Sequence, residues 1–486
     1  MSDIIGYVYY SLPWLAVIGL CIAMIAGVGV GLVWPRFLVY PYLLVFFWMN
    51  STSYGNLAVF ASRSIYSRGS GVLLFGLVLW YMLGAWVCAR VSSSFQRYPT
   101  PSCNLRPWFL GWAVLLACHV GAATVAGVPV KDALAPSGFS NIVWMAPLIS
   151  LLLLAFRTRE QVLELTRFIM LAGLGRALFG LGRWAVAGGD PNNVYANMNA
   201  IQIRLTFFDI NDSLLCTIAF AIAAVSLFQV HQTDRTRFWR IMEWLTLGAT
   251  ALCVVLSYRR SAWIGFVLAF LVIMWRFPAK RRMQLLTAGV PLLGAAVAFV
   301  AVRRLAQTHG AGGGSAGLFY DMQSRRFGPE SERVLELKLA LADFLSSPLT
   351  GIGSWGRYNG YQYITWQNNP DGGLFLHSGI LHVALKSGLL GTFLLVGTIL
   401  AFVFFARRAL RTLPPEFLGL GAAGVAGLAF MIPDLLIGTP FPQVRTTQML
   451  ALCLALPYLA MAASRPVTAM RPVLKPAIPR PHLVAA

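Results

Sequence analysis

Hydrophobic residues fall along this chain in long unbroken stretches, without the strict alternation of a half-buried strand or the narrow stripe of a soluble helix. The stretches cover about residues 12–33, 37–50, 71–90, 108–129, 141–156, 166–187, 211–230, 244–257, 261–275, 284–302, 386–406, 416–437 and 447–463. A bilayer crossing needs roughly 20 apolar residues. The run at 37–50 is short and holds Pro41, so the pattern predicts twelve or thirteen spans. The fold class expected is an all-α polytopic integral membrane protein.

Basic residues orient these spans. One set of connectors holds Arg157, Arg159 and Arg167; Arg235, Arg237 and Arg240; Arg276, Lys280, Arg281 and Arg282; and Arg407, Arg408 and Arg411. The positive-inside bias places this set in the cytoplasm. The opposite face then carries the stretches near 188–210, 257–261, 303–385 and 438–446. The third is far longer than an ordinary connector, which marks it as functional or disordered. The organisation expected is a helix bundle over 1–303, a large periplasmic loop over 304–385, further transmembrane helices over 386–464, and a disordered cytoplasmic tail over 465–486. The Pro-rich tail cannot bury a core. With Asp3 and no basic segment before it, the first run is expected to be a retained helix.

The loop has order of its own. Residues 330–345 repeat at helical spacing, with Val334, Leu337, Leu341, Phe344 and Leu345 on one stripe, and Ser346-Ser347-Pro348 ends that helix. Trp355, Tyr358, Tyr361, Tyr363 and Trp366 supply aromatics suited to a membrane interface or a sugar-facing surface.

Composition sharpens the class. Of 486 residues 58% are hydrophobic and 11% charged, with mean hydropathy +0.68. A soluble domain carries about a quarter charged residues. Lys+Arg 38 against Asp+Glu 17 leaves a net +21. In a soluble protein that charge would suggest nucleic acid; here cytoplasmic loops account for it, and no nucleic-acid partner is expected. The seven cysteines form no CxxC pair. Cys21, Cys88, Cys118, Cys216, Cys253 and Cys453 lie inside apolar runs and read as small buried hydrophobes. There is no GxSxG elbow, HExxH, Walker A loop or external carboxylate cluster, so neither metal nor cofactor is expected.

Four arginines oppose the charge bias by lying on the external face: Arg204, Arg259, Arg260 and Arg333. Guanidinium is always charged and offers a planar fork suited to phosphate oxygens. The alternative is pairing with lipid headgroups or with Asp209, Asp212, Glu330 or Glu336. Two further arginines, Arg176 and Arg183, share one face of an apolar run and are candidates to line a lipid-diphosphate groove. His377 and His382 lie where the loop re-enters the membrane, about 140° apart on a helix. A helix running from His377 would carry Gly388 and Gly391 on nearly the same face, roughly 16 Å on, where glycine lets another helix approach closely. Beside arginines, a histidine there reads as a general base.

His377-Ser378, nine residues, then Gly388-Leu389-Leu390-Gly391 resembles the H-[N/S/Q]-x9-G-x-x-[G/T/Y] pattern of O-antigen ligases, and Arg333-Val334-Leu335-Glu336-Leu337 resembles their R-x3-L pattern. Ser347-Pro348-Leu349-Thr350-Gly351-Ile352-Gly353 and Arg260-Ser261-Ala262-Trp263 are similar to stretches of the wider O-antigen ligase and polymerase superfamily. Tyr258-Arg259 departs from it, a serine being more usual before Arg260. The resemblance implies a twelve-span, GT-C-like membrane glycosyltransferase, metal-independent and inverting. It would move a glycan from undecaprenyl diphosphate to lipid A–core oligosaccharide at the periplasmic face of the inner membrane. It further implies His377 as base, with Arg204, Arg333 and Arg260 on the diphosphate. An O-antigen polymerase or a protein O-oligosaccharyltransferase shares these motifs. A lipid-linked sugar transporter would instead show charged residues buried mid-span.

Overall fold

The computed structural model describes residues 25–49, 66, 73–96, 101–191, 204–229, 236–305, 329–364, 367–368 and 372–464. The tail, the Gly-rich stretch around His309 and Trp366 lie outside these residues, as does the start of the first expected span. Among the described residues every helix or strand is helical: α1 (Ile25–Val33), α2 (Arg36–Trp48), α3 (Leu77–Phe95), α4 (Arg106–Val125), α5 (Val130–Ala133), α6 (Ser140–Val143), α7 (Met145–Ala155), α8 (Arg159–Val186), α9 (Ile210–Gln229), α10 (Arg237–Val255), α11 (Arg260–Arg276), α12 (Ala279–Leu305), α13 (Pro329–Ser346), α14 (Gly379–Thr412), α15 (Pro415–Phe430), α16 (Ile432–Ile437) and α17 (Val444–Ser464). Seven helices among these residues are long and apolar enough to cross a membrane, eight if α1 and α2 form one span bent by 114°. The bend falls at Trp34-Pro35, where proline has no N–H to continue the helical ladder.

The centre of the bundle is α9, α15 and α17, with α8, α10 and α11 packed around them. Their approach is set by small residues. A Cβ added to Gly424 would come within 2.4 Å of the Cys453 carbonyl oxygen, and one on Gly427 within 2.5 Å of its sulfur. Such backbone proximity is how apolar helices attract one another when lipid is as apolar as they are.

A buried charge network bolts the same helices together. The Arg445 guanidinium reaches Asp209 at 2.8 Å and Asp212 at 2.7 Å, and donates to the Phe46 and Phe47 carbonyls. Arg176 meets Asp212 through two nitrogens, both at 3.1 Å, and donates to the Trp48 carbonyl. Each charge is opposed and hydrogen-bonded, the condition under which ions persist in an apolar interior. Buried charge is also what a lipid-linked sugar transporter would show. These charges are mutually committed, tying α2 to α8, α9 and α17.

α14 is not one helix. Ser378 caps its start, accepting from the Leu381 N–H at 3.3 Å, and the chain breaks at Gly388 with φ +65°, ψ −160°. The segment after α13 fills the break: Leu389 N–H donates to the Pro348 carbonyl at 2.8 Å, and Ile352 N–H to the Leu385 carbonyl at 2.8 Å. Two sequence expectations change here. His377 precedes the cap, so helical angles from it to His382 and Gly388 do not apply. Gly388 is met by loop backbone, since a Cβ there would lie 2.2 Å from the Leu349 oxygen; Gly391 faces Ser387 and Trp112. His382 is fully buried and donates from Nε2 to the Gly138 carbonyl at 3.1 Å.

The helix expected at 330–345 is present as α13, but its stripe is divided: Leu337 and Phe344 are half-buried, Phe344 packing on the cluster of Ala340, Tyr358, Leu376 and Leu385. Val334, Leu341 and Leu345 are exposed, whereas Glu336, Ala340 and Asp343 are buried. The inward face is held by polar partners, with Asp343 accepting from the Asn359 side chain at 2.9 Å.

These contacts reverse the sign that helix propensity assigns to Gly388. Alanine favours an ordinary helix interior over glycine by up to about 1 kcal/mol. Gly388→Ala should instead cost about 2 kcal/mol or more through clash and left-handed strain, read as a lower melting temperature in detergent. Gly121→Ala, where an added Cβ meets nothing within 4 Å, should be neutral or stabilising.

Candidate active site

His377 sits between the end of the loop and the cap of α14. Its Nδ1 lies 3.0 Å from Glu336 Oε2, and its backbone N–H approaches the same oxygen at 3.4 Å. An ionised carboxylate can only accept, so Nδ1 carries the hydrogen, which in the neutral imidazole leaves the lone pair on Nε2. Glu336 is fully buried, with Oε1 receiving the Gln367 amide at 2.7 Å. Gln367 is itself fixed, donating to the Phe375 carbonyl at 3.1 Å and accepting from Gly373 N–H at 2.8 Å. The Phe375 ring meets the imidazole edge-on at 5.7 Å. The His377 side chain remains 22% exposed. Beside the pair, burial and then Glu336 push the Tyr358 phenol upward. It stays neutral.

α13 supplies a second group to this mouth. Arg333 stands one turn before Glu336, exposed, and its guanidinium makes no hydrogen bond or ion pair among the described residues. Gly379, next to the cap, packs on α16 and the turn after it, where a Cβ would lie 3.2 Å from the Leu435 oxygen and 2.7 Å from Pro440. That contact brings in Asp434, which lies within electrostatic reach of Arg259, His377 and Arg333.

The remaining arginines share one corner. Thr206 N–H donates to the Leu256 carbonyl at 3.1 Å and its hydroxyl to the Cys253 carbonyl at 2.8 Å, pinning the Arg204 strand of chain onto the turn before α11. The turn is tight enough to hold Tyr258 at φ +55°. Arg259 donates to the Phe208 carbonyl and covers the Phe208 ring at 5.2 Å. Arg260 opens α11 and is partly buried. Arg204 is exposed, and its side chain has no hydrogen-bond partner among the described residues.

Residues 245–396 match the family model described as O-antigen ligase. Over that stretch, less than half of the chain, the sequence is similar to the O-antigen ligase family. Within the matched stretch lie Arg259, Arg260, Arg333, Glu336, His377, Ser378, Gly388 and Gly391; Arg204, Arg176, Arg183 and Asp434 lie outside it. No curated protein matches the chain significantly.

Two arginines expected to line a diphosphate groove have other partners here. Arg176 is in the buried network, and Arg183 pairs with Asp190 at 3.1 Å and donates to the Thr206 carbonyl. Glu336, expected at most to neutralise an arginine, instead holds the histidine of the O-antigen ligase pattern. Leu337 is half-buried beside it. Gln367 and Asp434 were absent from the sequence reading, because nothing in their local spacing marks them. Among the described residues, no group of three or more His, Cys, Asp and Glu is arranged to hold a metal ion.

If Glu336 orients His377, Glu336→Gln should lower turnover by about 10-fold or more, the order seen when a base loses its orienting carboxylate being larger still. Donor binding and melting temperature should stay close to those of the parent. A loss of donor affinity in step with turnover would mean that Glu336 serves the fold of the loop and not the base.

Proposed function

We propose that the protein is an O-antigen ligase: an inverting, metal-independent glycosyltransferase of a twelve-span GT-C-like fold. The donor is a glycan on undecaprenyl diphosphate and the acceptor is lipid A–core oligosaccharide. The site faces the periplasm from the inner membrane. The observation that carries this reading is a histidine oriented through Nδ1 by a buried carboxylate, one helical turn from an exposed arginine with no hydrogen bond or ion pair among the described residues. In an O-antigen ligase family match, that is a base beside an anion site.

The reaction follows from these groups. Nε2 of His377 accepts the proton of the acceptor hydroxyl as its oxygen attacks the anomeric carbon of the donor glycan. The bond from that carbon to the phosphate oxygen breaks on the opposite side, inverting the configuration, and the electron pair leaves with undecaprenyl diphosphate. Arg333 and Arg204 receive the growing charge on the diphosphate, with Arg260 and Arg259 at the same corner. Preorganised cations at a partly desolvated site act where charge develops and need no rearrangement. Asp434 keeps Arg259 and Arg333 oriented before the donor arrives. Arg176 and Arg183 act through the fold, holding α8 and the Arg204 segment in place.

The histidine pattern favours a ligase over a polymerase, and the acceptor decides between them. Purified protein with lipid-linked glycan and lipid A–core should yield a ladder of conjugates. Lipid-linked glycan extended on itself, with lipid A–core untouched, would identify a polymerase instead.

His377→Ala should cut turnover by about 10²- to 10⁴-fold, the usual contribution of positioned base catalysis, with donor binding and folding retained. Near-normal turnover in a stable His377→Ala protein would end this mechanism. Arg333→Lys should bind undecaprenyl diphosphate and transfer poorly, because lysine keeps the charge and loses the fork. Full activity in Arg333→Lys would reduce the clamp to a diffuse positive field.

A further inference from the structure

α13 packs Ala340, Leu339 and Phe344 on a small apolar cluster with Tyr358, Leu376 and Leu385, yet it also buries two acids and leaves a second aliphatic row outside. Its inward row is Glu336, Ala340 and Asp343, and both carboxylates are met by side-chain or backbone donors. Its outward row is Val334, Lys338, Leu341 and Leu345, spaced to fall on one line of the helix. Leu345 is 65% exposed, and Leu349, just past the helix end, 66%. A helix that hides its acids and displays its aliphatic residues is stable only where the medium outside is itself apolar.

The outward row does not end at the helix. Leu349 is joined to α14 through its carbonyl, which accepts from Leu390 N–H at 3.4 Å, next to the 2.8 Å bond from Leu389 N–H to Pro348. Leu389, Leu390 and Phe393 on α14 are all exposed. They begin the outer flank of a helix whose mean hydropathy of 2.5 suits it to cross a membrane. The exposed aliphatic residues Val334, Leu341, Leu345 and Leu349 thus lead from α13 towards the exposed flank of α14, with Lys338 the one charged residue in the row on the helix. Lys338, within the row, has a side chain long enough to lay its stem on the apolar surface and lift its ammonium to phosphate level.

We infer that α13 lies on the surface of the bilayer, with Leu341, Leu345 and Leu349 at the acyl boundary and Lys338 among the lipid phosphates. The occupant of this face is lipid, because the row leads towards a flank that only lipid can cover. The inference stands on the helix and its neighbours and does not require the proposed reaction. Where that reaction holds, it adds a reason for the placement. Glu336 and Arg333 ride on the same helix, so contact with the bilayer sets His377 and the anion site at the depth of a lipid-borne diphosphate.

The test needs no substrate, so its failure is separable from failure of the proposed activity. Single cysteines at Leu341 and Leu345, and a control at the exposed Arg357, are placed in a chain whose native cysteines are replaced by alanine or serine. Each is labelled with an environment-sensitive nitrobenzoxadiazole and reconstituted in nanodiscs of phosphatidylethanolamine and phosphatidylglycerol. At 341 and 345 the emission should shift to the blue. Nitroxide lipids labelled near the headgroup should quench it about two-fold or more beyond quenching by aqueous iodide. The Arg357 position should show the reverse. Iodide quenching at 341 and 345 equal to that at 357 would show a water-facing helix and overturn the inference. Blue-shifted emission insensitive to both quenchers would also overturn it, since protein, including a second copy of the chain, would then cover the face.

Discussion

A helix that breaks inside or beside a membrane leaves backbone N–H and C=O groups that no water can satisfy, and each must find a partner in the protein. At Gly388 the partner is the backbone of residues 348–352, which donates to Leu385 and accepts from Leu389 and Leu390. Only glycine can occupy the break, because the left-handed turn and the Leu349 oxygen leave no place for a Cβ. Gly351, at φ +71°, lies against the same break from the other side, its own Cβ position 2.4 Å from the Leu385 oxygen. This backbone joint fixes the end of α13 against α14. From it follows the placement of Glu336 against His377, since one residue stands on each element. Lys386, buried in the first arm of α14, donates to the Gly356 carbonyl and draws the following loop to the same joint.

Charge serves two purposes in this molecule, and partners distinguish them. Asp209, Asp212, Arg176 and Arg445 neutralise one another within the bundle, so their contribution is to hold helix positions. Removing one would strand an ion in an apolar interior at a cost of about 3–5 kcal/mol. Elsewhere the balance is left open: Arg333, on the helix that holds His377, and Arg204, on the segment before α9, are exposed and carry no side-chain hydrogen bond among the described residues. An arginine already satisfied by a carboxylate has little to offer a phosphate. One without such a partner keeps its full donor fork for a charged ligand. Asp434 links the two regions, lying within electrostatic reach of both Asp209 and His377.

Much of this was legible from residue pattern. All thirteen apolar runs meet a described helix, the first only over 25–33, and seven helices among the described residues are long and apolar enough to cross a membrane. The helix at 330–345 and its stop at Ser346-Ser347-Pro348 also followed from periodicity and the proline. What periodicity could not supply was the direction of the stripe. An amphipathic helix shows the same spacing whether its aliphatic face meets a core or a bilayer. Nor could it supply the break in α14, since Gly388 and Gly391 in an apolar run read equally as a helix contact or as a hinge. The partner of His377 lies forty-one residues upstream. Local spacing around either residue carries no sign of that pairing.

The two short motifs acquire a physical meaning once these elements are placed. In the histidine pattern the serine is the cap of α14 and the first glycine is its break, so the interval between them is the length of one helical arm. That arm sets the distance from the base to the joint that anchors α13. In the arginine pattern the intervening Glu336 is three residues after Arg333, and three residues turn a helix by about 300°, leaving the two side chains about 60° apart. One therefore faces inward to meet His377, and the other stands at the rim where an anionic ligand can reach it. A single helix positions both the orienting carboxylate and the cation, so a rotation of α13 would displace the two together. The backbone joint at Gly388 opposes such a rotation from one end of the helix, and the Gln367 bridge to Glu336 opposes it from the other.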